Sequence, residues 1–521
     1  MVEHLADAIR RDDSVLIVAD FDADGATSCA VAMQGLRRLG ATSVDFLVPN
    51  RFEHGYGLTP EIVAVAQQRK PNVLITVDNG ISSLEGVHAA KNLGWRVLIT
   101  DHHLPGDTLP DADAIVNPNL LGDPFPNKAL AGVGVMFYVL SALRSKLRTA
   151  GWFTSSRIEP NLAELLDYVA LGTVADLVPL DRLNRILVHQ GLQRIRAGRA
   201  NPGIAALLEV ARKSISSLTA EDLGFGAAPR LNAAGRLEDM TLGIECLLAD
   251  DFRTARGIAH RLDALNRQRK EIESQMKTDA LALVRELEDA GKLDHRGGLC
   301  LFDASWHLGV VGLLASRIKD HLNRPVIAFA RGPNGELKGS ARSIPGLHMR
   351  DLLSDIATRY PKLLSKFGGH AMAAGLSLEH RNLESFRAAF EEAAGGRLSK
   401  LDTDHTLHSD GKLEACDFDI STAKLLKQAG PWGQSFPEPV FDGEFDILDG
   451  SIAADQHVKL KLRIPGTQRW LDGIAFFVEE PQRWMGCKQL RAAYRLDVNE
   501  FRNTRRLQLK IDYMESRASP E

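Results

Sequence analysis

The chain has 521 residues and a formal net charge of −4. That length exceeds one hydrophobic core and sets an expectation of about three domains. The mild negative charge gives no overall attraction for nucleic acid, so any anionic partner has to be met by local patches. The five cysteines (Cys29, Cys246, Cys300, Cys416, Cys487) are scattered without a C-x-x-C pair. This argues against a disulfide framework or a thiolate zinc site and fits a reducing cytoplasm. With no signal-peptide pattern and no apolar run of membrane length, a cytoplasmic location away from membranes is expected.

Residues 1 to about 200 alternate strand-like and helix-like segments, the pattern of a doubly wound parallel sheet. Val15–Ala19 runs into Asp20, with Asp22 and Asp24 just behind, and a helix of small and apolar residues follows to about Arg38. Val73–Val77 runs into Asp78, and Val97–Thr100 into Asp101-His102-His103. Ligands of open α/β sheets bind outside the carboxyl ends of the strands, so these acids and imidazoles are expected to converge on one edge. From about Phe252 to Ala290, Ile258, Leu262, Leu265, Ile272 and Met276 fall at helical spacing among charges. The spacing predicts one long, half-exposed helix bridging two domains. A second α/β block runs from Gly297 to about Gly396. From about Thr403, short alternating segments such as Val458–Ile464 and Leu507–Asp512 predict half-buried strands of a small barrel or sandwich.

Each acidic motif alone has an ordinary explanation. Asp20, Asp22 and Asp24 alternate, so one strand-like face is expected to carry all three, although a lone D-x-D is more often a solvated loop capping a helix. Asp78-Asn79-Gly80 alone would be a turn, and Asp176 in Leu171–Asp176 a helix or turn acid. Together they point elsewhere: four segments deliver acids at strand ends or beside glycine, and one adds two histidines. So many carboxylates need a counter-charge, and divalent cations supply it. Carboxylate and imidazole without thiolate suit Mn²⁺ or Mg²⁺. There are more ligands than one ion needs, so two ions sharing a carboxylate are expected. Such pairs, about 3.5–4 Å apart, serve in-line phosphoryl displacement, which points to phosphate ester hydrolysis.

The segments Asp20–Gly25, Asp78–Gly80, Asp101–His103 and Gly172–Asp176 resemble, in order, the four motifs of the DHH phosphoesterase superfamily. Phe367–Gly375 resembles the DHHA1 signature, and Phe225–Leu237 is similar to a stretch typical of RecJ exonucleases. The resemblance implies a DHH domain over residues 1–205, a linking region with the long helix over 206–290, a DHHA1 domain over 291–398 and an OB-fold barrel over 403–515. It implies a 5′→3′ exonuclease on single-stranded DNA, releasing 5′-mononucleotides in recombination and repair, with a single-strand-binding protein and a helicase as partners and a monomeric state. By the same resemblance Asp22 holds one metal and Asp24 the other, Asp78 bridges, His102 and Asp176 complete the second site, Asp20 is a ligand or support, and His103 faces the scissile phosphate.

Further contacts are expected around this centre. Gly368-Gly369-His370 is expected to form a backbone nest for phosphate. Ser340, Arg342 and Arg230 offer donors for a 5′-terminal phosphate, and Asn232 lies in the same stretch as Arg230. Arg51 is expected to pair with the DNA backbone and Tyr56 to stack on a base. Ser305 and His307 are placed along the same groove. Lys459, Lys461 and Arg463 share one strand face, expected to track single-stranded DNA. Phe21 stands where the family often has tyrosine, and the chain starts closer to its first motif than the resemblance implies, so a preceding helical segment is expected upstream. Two alternatives remain: a DHH/DHHA1 phosphatase or oligonucleotidase on short nucleotides, whose relatives usually lack the long helix and barrel, and a non-catalytic Cdc45-like scaffold, which predicts lost motif acids.

Overall fold

The computed structural model describes all residues except 52, 291–296, 333–334, 400–405, 455, 479, 502–503 and 517–521. The expected starts of the third and fourth domains, at 291 and 403, lie outside the described residues. Five short strands form the first sheet: β1 (Val15–Ala19), β2 (Val44–Leu47), β3 (Val73–Val77), β4 (Arg96–Thr100) and β5 (Ala114–Val116). Their order is β2-β1-β3-β4-β5 and all pairs are parallel. β1 and β3 are buried along their whole length, as continuous Val/Ile/Leu runs require when helices cover both faces. The strand order reverses between β1 and β3, which is where a crevice opens at the carboxyl ends.

The second sheet contains β6 (Leu299–Phe302), β7 (Val326–Arg331), β8 (Leu337–Arg342), β9 (Lys366–Gly369) and β10 (Ala373–Leu378), in the order β6-β7-β8-β10-β9. The tail closes a five-stranded barrel from β11 (Phe441–Ala453), β12 (His457–Arg463), β13 (Trp470–Ala475), β14 (Gln489–Phe501) and β15 (Thr504–Ser516). In β12, Val458, Leu460 and Leu462 point into the barrel while Lys459 and its alternates face out, so the period of two in the sequence is the pleat of the strand.

The long helix spans Phe252–Asp289 and is capped by Asp251, whose side chain accepts from Thr254 N–H. One apolar stripe serves two cores. Ala255, Ala259 and Leu262 join the core of the first domain, whereas Met276, Ala280 and Val284 pack with β6, β7 and the helix Val311–Leu322. Between them the stripe turns polar: Arg269 bonds Asn266 and Glu273, and Glu273 also pairs with Arg317. The helix thus fixes the second domain opposite the crevice of the first. Among the described residues, no helix is long and apolar enough to cross a membrane.

Candidate active site

Asp20 follows β1, Asp78 follows β3 and Asp101 follows β4, and each is buried. Asp22 and Asp24 do not share a strand face, as their alternation had suggested. Asp22 is the N-cap of the helix Ala23–Leu39, and its Oδ1 accepts from the N–H groups of Asp24 and Gly25 at 2.9 and 3.0 Å. Asp24 sits in the first helical turn and turns sideways, accepting from Gly132 and Val133 N–H at 2.6 and 3.0 Å. The helix-capping explanation therefore holds for Asp22. Chain sterics make the approach feasible. A Cβ on Gly25 would lie 2.4 Å from the Asp20 carbonyl oxygen, and one on Gly172 would lie 2.9 Å from Asp24 Oδ1. Asp78 adopts φ 63°, a left-handed conformation held by Asn79, whose Nδ2 donates to the carbonyls of Val18 and Val77 across the β1 and β3 ends.

Three sets of ligand atoms lie within mutual reach: Asp20, Asp22 and Asp78; Asp24, His102 and Asp176; and Asp78, His102 and His103. Asp78 belongs to two of them, the position of a bridging ligand. His102 Nε2 stands 3.1 Å from Asp78 Oδ1, 3.6 Å from Asp176 and 4.0 Å from Asp24. Yet His102 Nε2, Asp78 Oδ1 and Asp20 Oδ1 are buried without a hydrogen-bond partner. Buried polar atoms left without a hydrogen-bond partner among clustered carboxylate and imidazole ligands suit a bound cation. Electrostatics agree. Burial, then the charge of neighbouring acids, pushes Asp20, Asp78 and Asp176 well above the usual carboxylate value and Asp24 to about 7. Burial, then His103, lowers His102 to about 4, leaving the neutral imidazole a metal needs. The residues fit two hard divalent cations.

His103 is differently placed. Its Nδ1 lies 2.7 Å from Asp101 Oδ1, and although burial opposes protonation, this bond and the Asp101 charge raise it to about 9. Asp101 also accepts from the N–H groups of Ile81, His102 and His103. Burial works to raise its own value, but the His103 hydrogen bond and charge outweigh it, so Asp101 stays below the usual carboxylate range. Asn117 and Asn119 donate to the carbonyls of His103 and His102 at 2.8 and 2.5 Å. Sequence reasoning missed Asp101, Asn117 and Asn119 as positioning groups. Only Asp101 carried a signal, as the acid beside both histidines.

The stretch Phe225–Leu237 is built against this centre. Asn232 Oδ1 accepts from Ala23 N–H at 2.8 Å, fixing the start of the Asp24 helix. Gly235 approaches so closely that a Cβ would lie 1.9 Å from the Phe21 carbonyl. Arg230 is engaged elsewhere: it pairs with Asp263 at 2.7 Å and donates to the Gly226 carbonyl. Its place beside the cleft is taken by Arg236, which was not singled out in the sequence. Burial and then the charges of Arg51, Arg342 and Arg269 lower Arg236 to about 9, and its Nη1 donates to the Gly309 carbonyl. Arg342 bonds Ser340 Oγ at 3.0 Å, and Gly312, in the first turn of the helix Val311–Leu322, leaves room there: a Cβ would lie 2.9 Å from Arg342 Nη2 and Ser340 Oγ. Burial alone lowers Arg342, and burial lowers Arg51 against the charges of Asp20 and Asp22, so three guanidinium groups are held partly out of water beside the acids.

Other expectations need correction. Gly368-Gly369-His370 is not a nest: Gly368 and Gly369 pair with Gly375 and Ala374 as strand, and His370 N–H bonds the Ala373 carbonyl in the turn. What the turn delivers is the His370 ring, stacked 6.0 Å from His103. Tyr56 is half exposed, with its hydroxyl 3.4 Å from His103 and its ring edge-on to Phe21 and His103. The Arg51 guanidinium lies 4.1 Å over Phe21, so phenylalanine serves as a cation–π platform at that position. Ser305 bonds Asp303, and His307 Nδ1 accepts from Gly309 N–H beside the Arg236 contact. Lys459, Lys461 and Arg463 share the outer face of β12, but that face is not simply basic. Arg463 pairs with Asp446 at 2.8 Å, Lys461 lies over Trp470 and stands between Asp449 and Asp472 on the adjacent strands.

Fold and site together are those of a two-cation phosphoesterase. Residues 14–173 match the DHH family N-terminal domain, 296–396 the DHHA1 domain and 409–513 the RecJ OB domain. The chain is 54% identical to the single-stranded-DNA-specific exonuclease RecJ of Salmonella typhimurium, covering 98% of this chain and 89% of that protein. With the enzyme of the same name from Escherichia coli it is 53% identical at the same coverage. The crystal structure of RecJ in complex with Mn²⁺ from Thermus thermophilus superposes with a TM-score of 0.79 at 27% identity, covering 100% of this chain and 72% of that one. The Mg²⁺ complex from the same organism gives 0.73 at 25% identity, covering 99% and 70%. The chain belongs to the RecJ family.

Proposed function

We propose that this chain is a single-stranded-DNA-specific exonuclease working 5′→3′ with two Mn²⁺ or Mg²⁺ ions. The observation that carries the reading is one crevice with two opposite charge surpluses. Among the described residues the acids of the first domain converge with no lysine or arginine ion-paired to them, and Arg51, Arg236 and Arg342 gather beside them, Arg51 and Arg236 near enough to feel the charge of Asp22. A phosphodiester bearing a terminal phosphate complements both. Asp22 and Asp20 would hold one ion, Asp24, His102 and Asp176 the other, and Asp78 both. When bound, the cations neutralise the carboxylates, lower the pKa of water and offset charge on the displaced oxygen.

The chain's own residues do the rest. Arg236, Arg342 and Ser340 grip the 5′-terminal phosphate, placing the next phosphate at the acids. Water attacks that phosphorus, the P–O3′ bond breaks, and the nucleotide leaves as a 5′-mononucleotide with a new 3′-hydroxyl. The remaining strand again starts with a 5′-phosphate, ready for the same grip. His103, oriented by Asp101, donates to a non-bridging oxygen, while Tyr56 packs against the first sugar or base. Division at 1–205, 206–290, 291–398 and 403–515, a monomeric state, a cytoplasmic location, and cooperation with a single-strand-binding protein and a helicase in recombination and repair belong to the same proposal.

The test compares end-labelled single strands, blunt duplex and dinucleotides with Mn²⁺. Mononucleotides should appear at once from a 5′ label and late from a 3′ label, with little release from duplex. Equal early release from both labels removes the polarity, and preference for dinucleotides favours an oligonucleotidase.

A further inference from the structure

The loop after Asp176 is held from the barrel side. Asp176 ends the helix Leu166–Ala175, and Leu177 follows with φ 58°. Three residues on, Leu180 N–H donates to the Gln434 carbonyl at 2.7 Å, and the Leu180 carbonyl accepts from Arg185 Nη1 at 2.9 Å. The Arg185 guanidinium lies 4.0 Å over the Phe436 ring, which stacks on Trp432 at 5.0 Å. Gly433 and Phe436 exchange two backbone bonds, making a tight strap, and a Cβ on Gly433 would lie 2.8 Å from Leu180 Cδ1. Trp432 Nε1 donates to the Leu426 carbonyl on the helix Ile420–Ala429, which packs into the barrel core.

The opposite flank of the same loop reaches Asp24. Asn184 Nδ2 donates to the carbonyls of Pro179 and Ala129, and Asn127 Nδ2 donates to Asp181. Ala129 lies just ahead of Gly132 and Val133, whose N–H groups hold Asp24. Two carboxylates of one candidate cation site are thus positioned by a loop whose outer side is clamped by the strap.

We propose that Arg185 and Phe436 form a latch that positions Asp176 and so sets the affinity of the cation site, whether or not DNA reaches the barrel. The barrel then has a second role: its strap completes the outer support of the metal centre. Partners that hold a metal ligand typically contribute ten- to a hundredfold to affinity, on the order of magnitude seen for outer contacts. A latch acting through backbone belongs at the low end, about tenfold. The inference rests on Asp176 being a ligand.

Calorimetric Mn²⁺ titration of the full chain tests it, with melting temperature measured in parallel. Arg185→Ala and Phe436→Leu should each weaken binding by about tenfold, and the double variant no further, because they break one device. Arg185→Lys keeps a cation and a donor and should restore parental affinity. Turnover at limiting Mn²⁺ should fall by the same factor on trinucleotides and long strands and recover at saturating Mn²⁺. A lowered melting temperature with parental Mn²⁺ affinity in both variants would make the strap a mere domain clamp and overturn the latch. Asp176→Asn separates the two levels. If it abolishes the weaker binding event while the latch variants do not disturb it, only the latch fails. If Asp176→Asn itself binds as the parent does, the assignment of Asp176 fails and the latch with it.

Discussion

The crevice of the first domain and the outer face of the barrel both display rows of charge at strand positions, and they use it oppositely. In the crevice Asp20, Asp24 and Asp78 are almost wholly buried, and among the described residues no lysine or arginine forms an ion pair with them. On β12 the cations lie on the outer face and two of the three are answered by a neighbour: Arg463 by Asp446 and Lys461 by the Trp470 ring. Like charges held together out of water cost the fold free energy unless a ligand relieves them, whereas exposed pairs contribute little either way. Uncompensated charge therefore marks function, and the row of basic residues most visible in the sequence is the weaker signal.

The largest test of that contrast is Asp78→Ala. It removes the one carboxylate common to two ligand sets. Mn²⁺-supported hydrolysis should drop by at least about a hundredfold, the loss typical of deleting one prearranged electrostatic group. The metal-free fold should survive or gain stability, since one buried acid has gone. Near-parental turnover in the folded variant would mean that the acids of the crevice do not act as one centre.

The metal-free protein gives a second test, because its acids titrate abnormally. Asp24 is raised to about 7 against an ordinary value near 4. A raised carboxylate contributes stability that is fully present below about pH 4 and is lost as pH climbs through about 7. The melting temperature without metal should accordingly fall between pH 5 and pH 8, by about 2–4 °C for each kcal/mol lost. Mn²⁺ should stabilise most at pH 8, where the carboxylates are free to bind it. A metal-free melting temperature that rises over this interval would show that these acids are compensated by the protein itself.

Strand ends, helix spans and barrel alternation were legible because burial on a parallel sheet, a helical stripe and a pleat each impose a short-range period on the residues. The candidate ligands were legible for the same reason: Asp20 and Asp78 follow their strands directly, and His102 comes just after Asp101 at the end of β4. What a sequence does not carry is where a side chain turns once the chain is packed. Arg230 and Arg236 lie six positions apart in one stretch, and only the packing of Gly235 on Phe21 decides that Arg236 enters the crevice while Arg230 meets Asp263. Gly368-Gly369 resembled a nest because two glycines permit one; pairing with β10 fixed them as strand.

That distinction predicts a smaller, sharper effect. Arg236→Ala and Arg342→Ala should each reduce kcat/KM on 5′-phosphorylated strands by about tenfold more than on 5′-hydroxyl strands, since a charge-assisted bond is worth roughly 1.5–3 kcal/mol. Arg230→Ala should lower the melting temperature by exposing the buried side of Asp263 while leaving the ratio between the two ends unchanged. A ratio that moves with Arg230 and not with Arg236 would reverse the two assignments.

The smallest expected effect belongs to the barrel face. Changing Lys459, Lys461 and Arg463 together to Gln removes three cations, and if all three met phosphates the slope of log affinity against log salt would fall by about 2, at roughly 0.7 per contact on single strands. Two of the three are already engaged. Arg463 is bonded through Nε and Nη2 to Asp446 and Lys461 lies over the Trp470 ring, so freeing them for DNA would strand the Asp446 carboxylate beside the phosphates and uncover the ring. Lys459 alone faces Ser451 and Ile474, with no acid opposite. The slope should therefore fall by about 0.7, and the KM for long strands should rise only modestly, with strands too short to reach the barrel unaffected. A fall near 2 would show that DNA displaces the acidic neighbours and that paired surface charge, contrary to the contrast drawn from the crevice, is available for tracking the strand.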